Sequence, residues 1–147
     1  MELERVPIDT WLAGVLQEMV IPLEIHCEFT LESGLDLEID PERLRRAVIN
    51  VVNNAVQAME DYNADYKRLR VKSRKRDGRF EIVVKDNGPG MSEESLSRIF
   101  EPLYSTKGFG VGLGVPIVKS IMVKHHGGVE YHSVLGKGTT VVLWIPA

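Results

Sequence analysis

Residues 40–61 read DPERLRRAVINVVNNAVQAMED, and this stretch decides the architecture. Asp40 can cap a helix and Pro41 suits its first position, so the spacing predicts a helix from Pro41 to about Asp61. Leu44, Val48, Val51, Val52, Ala55 and Met59 form an apolar stripe fit to pack on a sheet. Asn50, Asn54 and Gln57 fall at i, i+4 and i+7, which sets three amides on the polar side. Asparagine is a mediocre helix former, and a solvated face is made more cheaply with Glu or Lys. Amide oxygens are hard ligands of the kind Mg²⁺ accepts beside substrate phosphates. A polar face with capping amides explains the same residues, and the helix alone does not choose.

Working outward, residues 9–21 show helical spacing at Leu12, Val15, Leu16 and Met19, with Asp9 or Thr10 as its cap. Residues 24–31 and 35–39 read as short strands. Strand-like runs at 68–75 and 80–86 flank Asp77-Gly78, a strong hairpin signal. Ser92 caps a short helix. A further helix is expected from about Leu113 to His126, ended by Gly127-Gly128. Two terminal strands, 129–134 and 139–145, follow around Gly136-Lys137-Gly138. The expected fold class is an α+β two-layer sandwich: a mixed, largely antiparallel sheet with about three helices on one face.

The 147 residues are 44% hydrophobic and 27% charged, which excludes disorder, collagen and coiled coil and fits one domain with its own core. The single cysteine, Cys27, excludes an internal disulfide framework and a multi-cysteine zinc site. A net charge of −3 provides no global basic field for nucleic acid. No apolar run approaches a membrane span, and the acidic start MELERVPIDTW is unlike a signal peptide. These features lead us to expect a soluble, cytoplasmic domain without membrane contact.

Three glycine-bearing segments remain. In VVKDNGPGM (83–91) a β-rich run delivers Asp86 into a turn, where a carboxylate can accept a hydrogen bond from an exocyclic amine. Read alone, it is an ordinary strand-to-helix turn. KGFGVGLG (107–114) carries four alternating glycines into a helix, a loop whose amides suit phosphate. It matches neither a Walker loop nor the Rossmann fingerprint, and a flexible hinge fits it equally. Gly136-Lys137-Gly138-Thr139 alone says hairpin.

Taken in order, the segments INVVNNAVQAM, DNGPGM, IFEPLYSTK, GVGLGV and HHGGVEYHSVLGKGTTVVLWIP resemble the ATP-binding catalytic domain of bacterial sensor histidine kinases. That family lies in the superfamily shared with gyrase, mismatch-repair and heat-shock chaperone ATPases, and the resemblance spans essentially the whole chain, 1–147. It implies a Bergerat-type fold that binds ATP and Mg²⁺ between helix and lid. Asn54 then stands where the family coordinates magnesium, with Asn50 beside it. Gln57 replaces a frequent Lys near the phosphates. Asp86 matches the adenine-reading aspartate, and Gly88 and Gly90 line the base. Phe100 opens the F box, from which Lys107 reaches the terminal phosphate. Gly110, Gly112, Leu113 and Gly114 match the lid and phosphate turn, and Thr140 falls at the end of the adenine pocket. Val111 departs from the usual Thr or Ser.

Asn50 also bears on the reaction. The ATP-hydrolysing and serine-phosphorylating branches place a glutamate there as general base, and an amide has no such basicity. The resemblance therefore favours transfer of the γ-phosphoryl group to histidine. An anti-sigma-type serine kinase and a regulatory nucleotide-binding module are the alternatives. None of His26, His125, His126 and His132 has the context of a phosphoacceptor, and His125 and His126 read as cations at a helix C-terminus. The expectation is a monomeric catalytic fragment acting on a separate dimerisation and phosphoacceptor domain, upstream of a response regulator.

One run stands outside this scheme. Residues 67–79 carry eight cations in thirteen positions, alternating from Arg68 to Arg74 onto one strand face. A solvated sheet face or guarded edge explains it, nucleic acid would want interleaved aromatics, and docking of an acidic partner stays open.

Overall fold

The computed structural model describes residues 1–62, 64–101 and 114–147. The chain runs β1 (Glu4–Pro7), α1 (Ile8–Glu18), β2 (Ile25–Leu31), β3 (Asp36–Ile39), α2 (Pro41–Glu60), β4 (Lys67–Arg76), β5 (Arg79–Asp86), α3 (Glu93–Ser97), α4 (Gly114–Lys124), β6 (Gly128–Val134) and β7 (Gly138–Pro146). Five strands form one sheet in the order β2-β4-β5-β7-β6, and β1 pairs with β3 in a separate ribbon. The β2–β4 pairing is parallel, bridged by a crossover that includes α2, and the other pairings are antiparallel. This is the expected α+β sandwich. β1, four residues with two charges, carried no strand pattern and was not expected.

α2 begins as read, with the Asp40 side chain accepting from the Arg43 N–H at 3.2 Å and Pro41 at the first turn. Its six stripe residues are all buried, against Leu69, Val71, Phe80, Ile82 and Leu143 on the facing side of the sheet. Each large apolar side chain so buried contributes about 1.5–3 kcal/mol. The β4–β5 hairpin turns on Asp77 (φ 54°) and Gly78 (φ 72°), two positive φ angles in succession, as a primed turn requires.

Two expected helix ends are corrected. α1 starts at Ile8, after Pro7, and neither Asp9 nor Thr10 caps it. Asp9 Oδ1 instead accepts from the Ser33 and Ser73 hydroxyls, both at 2.6 Å, and Oδ2 accepts from the Gly34 N–H at 2.9 Å. Those donors tie α1 to the β2–β3 turn and to β4. At the end of α4, the left-handed residue is His126 (φ 63°), not a glycine. The Gly127 N–H bonds to Met122 O and the His126 N–H to Val123 O, each at 2.9 Å, which is a Schellman cap. Gly127 is needed for another reason: a Cβ there would lie 1.7 Å from the Trp144 carbonyl oxygen.

His125 is also corrected. It is buried, and its Nε2 accepts the Asp40 N–H at 3.0 Å while Nδ1 faces Ile121 O at 2.9 Å. With Nε2 accepting, Nδ1 carries the proton and donates. The residue joins the end of α4 to the start of α2 as a neutral ring and does not serve as a dipole cation. Among the described residues no helix is long and apolar enough to cross a membrane.

Candidate functional site

β5 ends at Asp86, whose side chain points to the helix-covered side of the sheet and is 6% exposed. Its Oδ1 accepts from the Gly88 N–H at 2.8 Å and from the Thr139 N–H at 3.3 Å. A buried carboxylate held by backbone donors is fixed in direction. A Cβ on Gly88 would meet Asp86 Oδ1 at 3.0 Å and Ala58 of α2 at 3.5 Å. The first glycine therefore keeps the backbone thin where carboxylate and helix converge. Ala58, one turn beyond Asn54, was not singled out in the sequence, because a small residue on a helix carries no signal of its own.

The rest of the turn is stitched to the β6–β7 hairpin. Gly90 has φ 68°, and a Cβ there would fall 2.1 Å from Val134 O. The Gly136 N–H donates to Pro89 O at 2.6 Å, and the Met91 N–H to Ser133 Oγ at 2.7 Å. Gly138 (φ 132°) passes so close to Asp86 that a Cβ would lie 2.1 Å from its carbonyl oxygen. Gly136-Lys137-Gly138, read in the sequence as a hairpin alone, thus frames the site through its backbone. Asn87 is structural: its Oδ1 accepts the Arg68 N–H at 2.8 Å and its amide donates to Tyr66 O.

Thr140 is corrected. In register it pairs with Lys85 and His132, and Asp86 lies one residue beyond Lys85. Side chains alternate along a strand, so Thr140 faces the opposite side of the sheet from Asp86. It lines a depression of about 440 Å³ there with Arg74 and Arg79. Thr139 is the residue that reaches the site, with its N–H on Asp86 and its hydroxyl 2.9 Å from Ser133 Oγ.

On α2, Asn50 and Asn54 are half-buried and Gln57 is exposed. Asn54 lies against the first turn of α4, where a Cβ on Gly114 would be 4.0 Å from its Nδ2. Phe100 stands between β6 and α4, with its ring edge-on to Tyr131 (5.7 Å between centroids) and Lys119 Nζ 4.7 Å from its centre. Burial pushes the Tyr131 phenol above its ordinary range. Lys107, Gly110, Gly112 and Leu113 lie outside the described residues, as does Val111. The structure thus brings Asp86, Gly88, Asn54 and Gly114 to neighbouring elements on one side of the sheet. A separate depression of about 450 Å³ lies at β1 and the end of α4, lined by Leu3, Leu37, His126 and Ile145 and by none of these residues.

The donor set suits a lightly held magnesium ion. Two amide side chains one turn apart on α2 offer hard oxygens. Among the described residues no group of three or more His, Cys, Asp or Glu side chains could cage a metal. An ion here would take its remaining ligands from phosphates and water.

Comparison with known proteins gives a consistent result. Residues 39–147 match the family described as histidine kinase-, DNA gyrase B-, and HSP90-like ATPases. Sensor histidine kinase ZraS of Escherichia coli (strain K12) is 34% identical over 124 residues, covering 84% of this chain and 26% of ZraS. Sporulation kinase B of Bacillus subtilis (strain 168) is 33% identical over 123 residues, 84% of this chain and 28% of that protein. The chain therefore spans about a quarter of the length of these curated relatives. The nucleotide-free catalytic domain of histidine kinase ThkA superposes with a TM-score of 0.83 at 25% identity, over 99% of this chain and 98% of that one. Full-length ShkA in complex with AMPPNP gives 0.83 at 28% identity, over 100% of this chain and 32% of ShkA.

Proposed function

Because the chain belongs to the histidine kinase-, DNA gyrase B-, and HSP90-like ATPase family, we propose that it binds ATP with Mg²⁺ and donates the γ-phosphoryl group to a histidine. The acceptor would sit on a dimerisation domain of the same protein, and the phosphoryl group would pass on to a response regulator. The observation that carries this reading is Asp86: a buried carboxylate aimed by two backbone N–H groups, with Gly88 set between it and Ala58, the residue one turn beyond Asn54 on α2. Such a group accepts a hydrogen bond from the exocyclic amine of adenine, and Gly88 leaves room for a flat ring.

With the base at Asp86, the phosphates would extend along α2 towards Asn54 and the first turn of α4. Asn54 and Asn50 would hold magnesium, which supplies charge neutralisation on the phosphates when bound. Transfer breaks the bond between the γ-phosphorus and its bridging oxygen and forms a P–N bond to the acceptor imidazole. The electron pair leaves on ADP, and the imidazole sheds the proton of its other ring nitrogen. The nucleophile brings its own lone pair, so an amide at position 50 suffices where a water or hydroxyl nucleophile would want a carboxylate base.

Calorimetry with Mg-ATP tests the binding half, and absence of binding would remove the reading. Radiolabelled ATP tests the rest. The chain alone should hydrolyse slowly and stay unlabelled, because the acceptor is not held in line. Adding the cognate dimerisation hairpin should give an acid-labile, base-stable label. An acid-stable label on serine, or rapid phosphate release without label, would instead assign the chain to the serine-kinase or ATPase branches.

A further inference from the structure

We propose that the open face of the five-stranded sheet, the side without helices, is a docking surface for an acidic polypeptide. This does not depend on the nucleotide reading, since the face lies opposite Asp86. The strand registers bring Arg68, Arg70, Lys72, Arg74 and Arg76 of β4 together with Arg79 and Lys85 of β5 on that side. The opposing charges among the described residues are Glu28 of β2, Glu81 of β5, Glu130 of β6 and, at the β4–β5 turn, Asp77, 3.6 Å from the Arg76 guanidinium. This surplus of cations occurs in a chain whose formal net charge is −3.

Three observations argue against a merely solvated face. First, β4 and β5 are the second and third strands of the sheet, so their charges do not guard an edge. Second, Arg70 stands directly opposite Lys85, and Arg76 directly opposite Arg79. Like charges facing each other across a strand pair are destabilising, and residues of mixed sign would keep the face wet without that cost. Third, the carboxylates hold the guanidiniums in place. Glu28 engages Arg68 at 2.9 Å and Arg70 at 3.2 Å, and Glu81 engages Arg74 at 2.7 Å as well as Arg79. Each guanidinium has five N–H donors, so donors remain for a second carboxylate. Lys72 and Lys85 are exposed, and among the described residues no ion pair is recorded for either.

Charge complementarity selects the occupant. A polypeptide presenting Asp and Glu offers carboxylates to positioned arginines, the geometry in which bidentate pairs form. Single-stranded nucleic acid would want open stacking rings. On these strands the Phe, Tyr or Trp ring of this face is Trp144, already covered by the Arg79 guanidinium at 4.7 Å, and the exposed Tyr66 just ahead of β4 is packed against His26, 5.9 Å between ring centroids. Val142, at the centre, is 6% exposed and offers no apolar protrusion to a lipid surface.

The test is fluorescence anisotropy of a labelled polyglutamate peptide of about 20 residues, titrated with the chain at about 50 mM and about 300 mM NaCl. Saturable binding is expected at the lower salt, weakened about tenfold or more at the higher. Lys72→Glu/Lys85→Glu should weaken it by about tenfold or more again while Mg-ATP binding stays unchanged. Should that pair fail to fold, Lys72→Gln/Lys85→Gln serves, with a smaller loss in the same direction. No binding at the lower salt, or equal binding by the folded variants, overturns the proposal. An RNA of equal length that binds more tightly than the peptide, and is lost in the same variants, reassigns the face to nucleic acid and overturns it too.

Discussion

Strand β5 buries two carboxylates on opposite sides of one sheet, and they are held in different ways. Glu81 is 2% exposed on the open face, gripped by the Arg74 and Arg79 guanidiniums. Asp86, 6% exposed, sits on the helix-covered face and takes backbone N–H groups from Gly88 and Thr139. Two guanidiniums neutralise a carboxylate and make it part of the scaffold. At Asp86 backbone N–H groups fix the direction of the carboxylate where β5 meets the β6–β7 hairpin. Two acids of similar burial on one strand are thus held by different chemistry, side-chain cations at Glu81 and backbone N–H groups at Asp86.

The sharpest way to break this contrast is to delete each acid. Asp86→Ala should weaken ATP and ADP alike by about 1.5–3 kcal/mol, the value of a hydrogen bond to a charged group. Titration of both nucleotides checks it, and unchanged ADP affinity would remove Asp86 from the base site. Glu81→Ala should do the reverse. Stability to urea should fall by about 1–3 kcal/mol, reduced from the full cost of a broken buried pair because Arg74 and Arg79 can turn to water, and nucleotide affinity should stay within about twofold. His125→Leu should cost about 1–3 kcal/mol in the same assay, because it strands the buried Asp40 N–H.

Acid sharpens the comparison further. Burial alone would raise Glu81, but the Arg79 and Arg74 hydrogen bonds outweigh it and hold the carboxyl below its usual range. At Asp9 and Asp40 burial likewise raises the pKa, and hydrogen bonds outweigh it (from Ser33 and Ser73 at Asp9, from the Arg43 and Glu2 N–H groups at Asp40), so both carboxyls are held below their usual range. A depressed folded pKa stabilises above the unfolded value of about 4 and loses that contribution as pH falls from there through the folded value. Melting temperature should therefore hold from neutrality towards pH ~5 and drop below pH ~4, and less steeply in Glu81→Gln. The smallest effect belongs to Thr140→Ala, which faces away from Asp86. Nucleotide affinity should change by less than about twofold, and a larger loss would mean that the β5–β7 register is misread.

Much of this was legible in the residues. Asp40-Pro41, the apolar stripe of α2 and Asp77-Gly78 are local signals, and the structure returns each as read. The motif order named the family that the comparisons show. What was not legible depends on distant partners. Which of Thr139 and Thr140 meets Asp86 is set by pairing across 53 positions. His125 looked like a dipole cation because its donor, the Asp40 N–H, lies 85 residues away. Gly127 looked like a helix stop, and only the Trp144 carbonyl beside it explains the missing side chain. β1 exists because β3 is there to pair with it.

The seam between β5 and β7 has a consequence of its own. The β4–β5 and β6–β7 hairpins are each closed by a local turn, and each holds half of the Asp86 cradle. Either hairpin alone carries no cradle, nor does a chain in which the two exist unjoined. Possession of the whole cradle is thus a property of the joined sheet, complete only where β5 and β7 are paired.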